Sequence, residues 1–268
     1  MQNYYFIVTC VMMGAVGLCV GSFLNVVVYR LPVGMSLAKP ASHCPSCNHT
    51  LAWYDNVPLF SFLFLGGKCR YCKTKISPRY FCVELLNAAL WLCCAFAFFR
   101  NYGVWAVIVN ALALSVLLCM ALIDEEHLFI PDRLQIALLI LGVCGIFASG
   151  VQFWQTKLYG MLLGGGFFLF FYLISFPLFG REGLGFGDVK LMTSAGLLLG
   201  LKSVCVAIVI AIVMALIDVI VRRVAFKNQK DPFGGANEFA FAPYLAAGVA
   251  AALFFGDSIA AWYFSMLV

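Results

Sequence analysis

Long apolar runs recur along this 268-residue chain, near 4–28, 82–99, 104–123, 134–149, 158–179, 189–201, 203–221 and 242–256. Charged or Gly/Pro-rich segments separate them. Several approach 20 residues, the length of helix that crosses the roughly 30 Å hydrocarbon layer of a bilayer. The expected fold is therefore all-α, a polytopic transmembrane bundle of about eight spans. The short runs 189–201 and 242–256 read as tilted, longer than drawn, or partly re-entrant. Composition agrees: 64% hydrophobic and 11% charged residues compare with about 45–50% and about 25% in soluble domains. That sets aside a disordered chain, a nucleic-acid-binding protein and a small disulfide scaffold.

The formal charge of +5 has a topological reading. With eight spans, loops 30–81, 124–133, 180–190 and 222–241 share one side. They hold Arg30, Lys39, Lys68, Arg70, Lys73, Lys75, Arg79, Arg133, Arg181, Lys190, Arg222, Arg223, Lys227 and Lys230, which is 14 of the 17 basic residues. Arg100, Lys157 and Lys202 lie opposite. The positive-inside rule makes the basic side cytoplasmic and puts both termini outside. Residues 4–28 lack the basic start of a signal peptide and are kept as a span.

Eight of the twelve cysteines sit in apolar runs, where a thiol is a small hydrophobe. The other four form Cys44-Pro-Ser-Cys47 and Cys69-Arg-Tyr-Cys72, with 21 residues between the pairs. Each pair can present two thiolates from one tight turn. Two such turns complete a tetrahedral site suited to a structural zinc ion, with every position filled by protein. A reducing cytoplasm favours metal over disulfide. Lys68, Arg70 and Lys73 offset the thiolate charge, and His43 and His49 read as bystanders. A loop of some 50 residues is marginal without such a staple.

Charge is scarce enough here that each acid near a span is informative. Asp124 closes the third span in Ala121-Leu122-Ile123-Asp124, and Asp188 opens the sixth in Gly183-Leu184-Gly185-Phe186-Gly187-Asp188. Span parity puts both at the cytoplasmic edge. Two carboxylates sharing such a site do not easily both ionise. The charged one can activate water as general base while the protonated one polarises a carbonyl, which is aspartic-protease chemistry. The glycines let an extended peptide backbone approach closely. Structural alternatives stand beside this. Asp132, after Pro131, reads as a helix N-cap; Asp188 fits the same role; Glu125 and Glu126 read as solvated; Asp218 reads as a buried polar partner. A transporter lined by Asp124, Asp188 and Asp218 is a further alternative, although no internal repeat of the kind transporters show is visible. A zinc-loop scaffold that only binds is the third.

The residues together resemble a family, the bacterial type IV prepilin peptidases, also called prepilin leader peptidase/N-methyltransferases of type IV pilus and type II secretion systems. The resemblance runs in order through Gly21-Ser22-Phe23-Leu24-Asn25-Val26-Val27 and Tyr29-Arg30-Leu31-Pro32, then the two CxxC pairs with Trp53, Asn56-Val57-Pro58 and Gly67-Lys68-Cys69-Arg70. It continues through Ile76-Ser77-Pro78-Arg79-Tyr80 with Val83-Glu84, the Ala121 to Asp132 stretch, and Gly185-Phe186-Gly187-Asp188-Val189-Lys190-Leu191. It implies that Asp124 and Asp188 are the catalytic pair. The substrate implied is the N-terminal leader segment of a prepilin or pseudopilin, cut after a glycine at the cytoplasmic face of a bacterial inner membrane. The new N-terminus, usually phenylalanine, is then methylated with S-adenosylmethionine, a step associated with the cysteine loop. Two departures are visible. Leu134-Gln135-Ile136-Ala137 stands where the family often has Leu-x-Leu-Pro, and Ala240-Phe241-Ala242-Pro243 replaces Pro-Phe-Gly-Pro. Neither falls on the pair, so the expected effect is on helix shape.

The organisation expected is a first span at 1–29, a four-cysteine zinc loop and methyltransferase region at 30–81, and a peptidase bundle at 82–268. By the same resemblance, a full-length loop with its cysteines, unlike that of short family members lacking them, implies the bifunctional form, with a peptidase lacking methylation as its alternative. A site for S-adenosylmethionine needs a cation, an acid or π-face, and an apolar slot. Lys68, Arg70 and Arg79 are the cations, Glu84 with Trp53 and Tyr80 supplies the second need, and Val57-Pro58-Leu59 the third. Glu84 can hold or deprotonate the new amine. No glycine-rich dinucleotide fingerprint is present. The same cations also suit an anionic lipid surface. No feature of the sequence sets an oligomeric state.

Overall fold

The computed structural model describes residues 2–179, 184–225 and 239–266. Gly183 of the glycine-rich motif and the topological cations Arg181, Lys227 and Lys230 lie outside the described residues. Within them the regular structure is helical: α1 (Gln2–Arg30), α2 (Phe60–Phe64), α3 (Pro78–His127), α4 (Asp132–Ser149), α5 (Trp154–Phe179), α6 (Phe186–Leu199), α7 (Leu201–Ala225) and α8 (Ala242–Ser265). Short 3-10 turns occur at Trp53–Asn56 and Val151–Phe153. In lipid each backbone N–H and C=O must be satisfied within the chain, which leaves helices as the outcome for runs this apolar.

Five of these helices are long and apolar enough to cross a membrane: α1, α3, α5, α7 and α8. The expected runs 82–99 and 104–123 are the two helices that make up α3, joined at Gly103 (φ 79), where the backbone is not helical; Trp91 of the first reaches Ser115 of the second at 2.9 Å. The run at 242–256 continues to Ser265. The run at 189–201 is α6, a 14-residue helix in which nine residues are buried. α4 and α6 are not among the five.

The chain divides into two compact units, 1–115 and 116–268, with the division inside α3. In the first unit α1 packs on α3 around a buried polar cluster that joins its two parts. Asn87 donates to the Gly17 carbonyl at 2.7 Å, Ser115 Oγ lies 2.7 Å from Asn87 Oδ1, and Trp91 Nε1 donates to Ser115 Oγ at 2.9 Å. Each polar group in this apolar setting thus has a partner, as burial requires.

In the second unit the closest packing is between α5 and α6. A Cβ at Gly160 would collide with the Gly196 carbonyl oxygen, and one at Gly196 would collide with the Gly160 carbonyl oxygen. The two backbones touch, the kind of approach that small residues permit between membrane helices. The end of α6 is held as well: Lys157 of α5 donates to the Leu198 carbonyl at 2.6 Å, satisfying one of the acceptors a helix leaves at its C-terminus. This seam fixes α6, and with it Asp188. Valine at either Gly160 or Gly196 should lower the apparent Tm of the detergent-purified protein by several degrees, because overpacking typically costs about 1–3 kcal/mol. Gly166→Ala, at a position with nothing within 4 Å of the added carbon, should leave it unchanged. Thermal unfolding followed by tryptophan fluorescence checks both.

Candidate functional site

Two sites emerge, one in each unit. In the second unit, α3 carries Asp124 in its last turn. The helix stops at His127, where Leu128 turns left-handed (φ 55) and its N–H reaches the Asp124 carbonyl at 2.9 Å. Such a turn is a common helix ending, but leucine pays a steric penalty there that glycine would not. Asp188 sits in the first turn of α6, its N–H on the Gly185 carbonyl at 3.1 Å. Asp124 and Asp188 are each only 7% exposed, and they are close enough for one charge to act on the other.

Other helices complete the surroundings of this pair. Asp124 Oδ2 accepts the N–H of Ala242, the first residue of α8, at 3.0 Å. Asp124 therefore faces the positive end of the α8 dipole, while Asp188 occupies that of α6. On α4, the Gln135 amide donates to the Gly187 carbonyl at 2.9 Å and steadies the turn that carries Asp188.

These contacts bear on three expectations. The segments that depart from the family pattern border the site, 134–137 through Gln135, at the position that pattern leaves open, and 240–243 through the Ala242 main chain, whose N–H a glycine would supply equally. A main-chain donor leaves no mark in a residue pattern, and a glutamine at 135 shows its target only once α4 lies beside α6. Asp132 is not an N-cap: Pro131 precedes α4, no side chain caps it, and Asp132 pairs with Lys190 at 2.6 Å. Nor does Asp188 cap α6, which begins after Gly185 without a side-chain cap. Asp218 is a half-buried polar partner, joined to Arg222 at 2.5 Å and to the Tyr244 hydroxyl at 2.7 Å. Glu125 and Glu126 are exposed.

In the first unit the four loop cysteines meet. The sulfurs of Cys44, Cys47, Cys69 and Cys72 all lie within 4.8 Å of one another, and those of Cys44 and Cys72 are 3.7 Å apart. A tetrahedral zinc with bonds of about 2.3 Å would set sulfurs about 3.8 Å apart. The two pairs are copies of one backbone device. Cys44 N–H donates to the His49 carbonyl and Asn48 N–H to the Cys44 carbonyl; Cys69 N–H donates to the Thr74 carbonyl and Lys73 N–H to the Cys69 carbonyl. Asn48 and Lys73 hold the same left-handed place in each turn, at φ 56 and 60.

The thiols are prepared for a cation. Backbone N–H groups of Cys47 and Ser46 hold the Cys44 thiol below its ordinary pKa. The Thr74 hydroxyl, then its N–H, brings Cys72 down to about 6. At Cys47 the His49 N–H pulls downward, but desolvation and the adjoining Cys44 and Cys72 sulfurs outweigh it and push the thiol up to about 11. A cation held among these sulfurs would favour the thiolate form.

A cavity of about 470 Å³ lies beside these turns, lined by the end of α1, the loop and the start of α3. Arg70, Tyr80 and Glu84 line it, whereas Lys68, Arg79 and Trp53 are not among its walls. Its size is in the usual range for small-molecule sites, about 300–1,000 Å³. Phe62, Leu65 and Ile76 supply apolar wall. Glu84 Oε2 accepts the N–H of Leu59 at 2.8 Å, steadying a left-handed residue (φ 58). Arg70 Nε donates to Asp55 Oδ1 at 2.7 Å, and the guanidinium lies 5.2 Å from the Tyr54 ring centre. That bond holds the guanidinium even more firmly protonated than usual. Asp55, which carries no motif to single it out in the sequence, has a side chain only 1% exposed. Its Oδ2 is buried without a partner.

Known proteins carry the same arrangement of segments. Residues 15–98 match the model of the bacterial peptidase A24 N-terminal domain, and residues 111–220 match that of the type IV leader peptidase family. The gap between the two matches falls close to the structural division of the chain. A Burkholderia pseudomallei protein named prepilin leader peptidase/N-methyltransferase is 36% identical over 275 residues, 90% of this chain and 83% of that one. One of the same name from Aeromonas salmonicida is 32% identical over 286 residues, 94% of this chain and 92% of the relative. A third, from Myxococcus xanthus, is 38% identical over 197 residues, 73% of this chain but only 58% of that protein. No solved structure matches the chain. The chain belongs to the type IV leader peptidase family.

Proposed function

We propose that this protein removes the leader from a prepilin or pseudopilin at the cytoplasmic face of a bacterial inner membrane, then methylates the new N-terminus. The observation that carries the peptidase reading is the pair of buried carboxylates, Asp124 and Asp188, brought together from positions 64 residues apart. One carboxylate takes a proton from water, whose oxygen adds to the scissile carbonyl; the other donates its proton as the C–N bond breaks. The two titrate as a pair, so the roles belong to the pair and not to either residue. The Ala242 N–H fixes the direction of Asp124 Oδ2, and Gln135 fixes the turn that carries Asp188.

The topology that goes with this reading has eight crossings: α1, the two parts of α3 on either side of Gly103, and α4 to α8. The basic loops face the cytoplasm. Residues 1–29 form the first span, 30–81 the zinc-bearing methyltransferase region, and 82–268 the peptidase bundle. Zinc on Cys44, Cys47, Cys69 and Cys72 is structural, since all four positions are filled by the chain. Two of these residues, Cys44 and Cys69, also line the cavity, so a metal held there would help to shape its wall.

S-adenosylmethionine, when bound, supplies a methyl group carried on a positively charged sulfur. The cavity beside the zinc turns fits it by size and by its mix of acid, aromatic and apolar walls. Glu84 takes the proton that the new α-ammonium must lose before its nitrogen has a lone pair to attack with.

Three outcomes test these assignments. Asp124→Asn and Asp188→Asn should each reduce prepilin cleavage in membranes by about 100-fold to 10,000-fold, the usual worth of a general acid or base. Substantial cleavage by either, at normal protein levels, would remove that residue from the pair. Protein purified without chelators should hold about one zinc per chain by elemental analysis. Cys69→Ser should lose the metal and methylation while much of the cleavage survives. Glu84→Gln keeps an oxygen for the Leu59 N–H and loses the base. Mass spectrometry of mature pilin should then show cleavage without the added methyl group.

A further inference from the structure

Among the described residues, two buried side-chain atoms have no hydrogen-bond partner, Asp55 Oδ2 and Gln135 Oε1. Gln135 belongs to the surroundings of the aspartate pair already described, where its amide holds the Gly187 carbonyl. Asp55 lines the cavity of the first unit. A carboxylate has two oxygens, and Arg70 engages only Oδ1. An acceptor kept dry and unmet inside a protein costs stability unless something completes it.

Neighbouring polar groups are already committed. The Asn25 amide donates to the Gly21 and Tyr80 carbonyls, and Arg30 donates to the carbonyls of Ser36 and Leu37. Glu84 Oε2 holds Leu59. Among the described residues of this wall, Asp55 Oδ2 is the buried acceptor without a partner. Tyr29 and Tyr80 line the same cavity, and aromatic rings favour a cation nearby.

We infer that the cavity beside the zinc turns receives an organic ammonium group, and that Asp55 Oδ2 is the acceptor that binds it, with Arg70 on the other oxygen holding the carboxylate in place. This deepens the methyltransferase reading and rests on it for the identity of the ammonium. Two molecules of that reading carry one: the peptide's new α-amino end and the amino-acid end of S-adenosylmethionine. Asp55 is thus a binding residue distinct from Glu84, which takes the proton.

The test uses the full-length protein in detergent and measures binding, so it does not depend on methyl transfer taking place. The probes are a peptide beginning with phenylalanine, the same peptide lacking its α-amino group, S-adenosylmethionine, and methylthioadenosine, which lacks the amino-acid end. Each is titrated against wild type and Asp55→Asn, with zinc content and prepilin cleavage measured on the same preparations. In wild type, removing the ammonium from the correct partner should weaken binding at least tenfold. In Asp55→Asn that same removal should cost little, because the interaction is already gone. Coupling in the peptide pair identifies the peptide end as the ligand; coupling in the nucleoside pair identifies S-adenosylmethionine.

Equal binding of both members of each pair by wild type would overturn the inference without any variant. So would an equal loss for all four probes in Asp55→Asn, which is the signature of a purely structural ion pair. Weakened methylthioadenosine binding in Asp55→Asn would mean that a ribose hydroxyl meets Oδ2, and would overturn it too. If ammonium coupling is found and no methyl group is ever transferred, the inferred site stands and the methyltransferase reading falls.

Discussion

A buried charge in an apolar helical protein has to be given its partners by the chain, because the surrounding medium offers none. That requirement orders much of what is seen here. Asp124 draws the start of α8 to the end of α3 through the Ala242 N–H. Lys157 closes the end of α6, and Asp218 ties Arg222 to Tyr244. In the first unit Glu84 anchors the turn at Leu59 and Asp55 anchors Arg70. Because such groups are costly to leave unmet, their positions say which helices must be neighbours.

The two cysteine turns show the same economy at a smaller scale. Each uses a cysteine N–H and carbonyl to close a tight loop, with one residue in the left-handed region. The geometry brings two sulfurs inward from each turn while leaving Cys47 and Cys72 accessible and Cys44 and Cys69 buried. The buried half of the set is the half that borders the cavity. A metal at that point would order a segment whose own apolar core is small.

Much of this could be read from residues alone, and the rest could not for definite reasons. Helix positions followed from the length and apolarity of the runs, and the break at Gly103 falls between two of the expected spans. The cysteine spacing indicated the cluster because a metal site depends on few residues at short range. The Asp124–Asp188 association was suggested by scarcity of charge and by resemblance. The capping role read for Asp132 failed because a proline before a helix resembles a start signal, whereas Lys190, its actual partner, lies 58 positions away. The contacts of Gln135 and Ala242 depend on which helices are adjacent, and a one-dimensional pattern does not encode that.

The main-chain origin of the Asp124 donor has an evolutionary corollary. A side-chain donor can be deleted by changing one codon, and its importance then appears in any alanine or saturation scan. The N–H at position 242 belongs to every amino acid except proline, so nearly every allele preserves it. Genetic screens would register the tight packing around Ala242, which is fully buried, and remain blind to the bond. The orientation of Asp124 is in this sense insulated from point mutation, a robustness that drift in the surrounding residues does not erode.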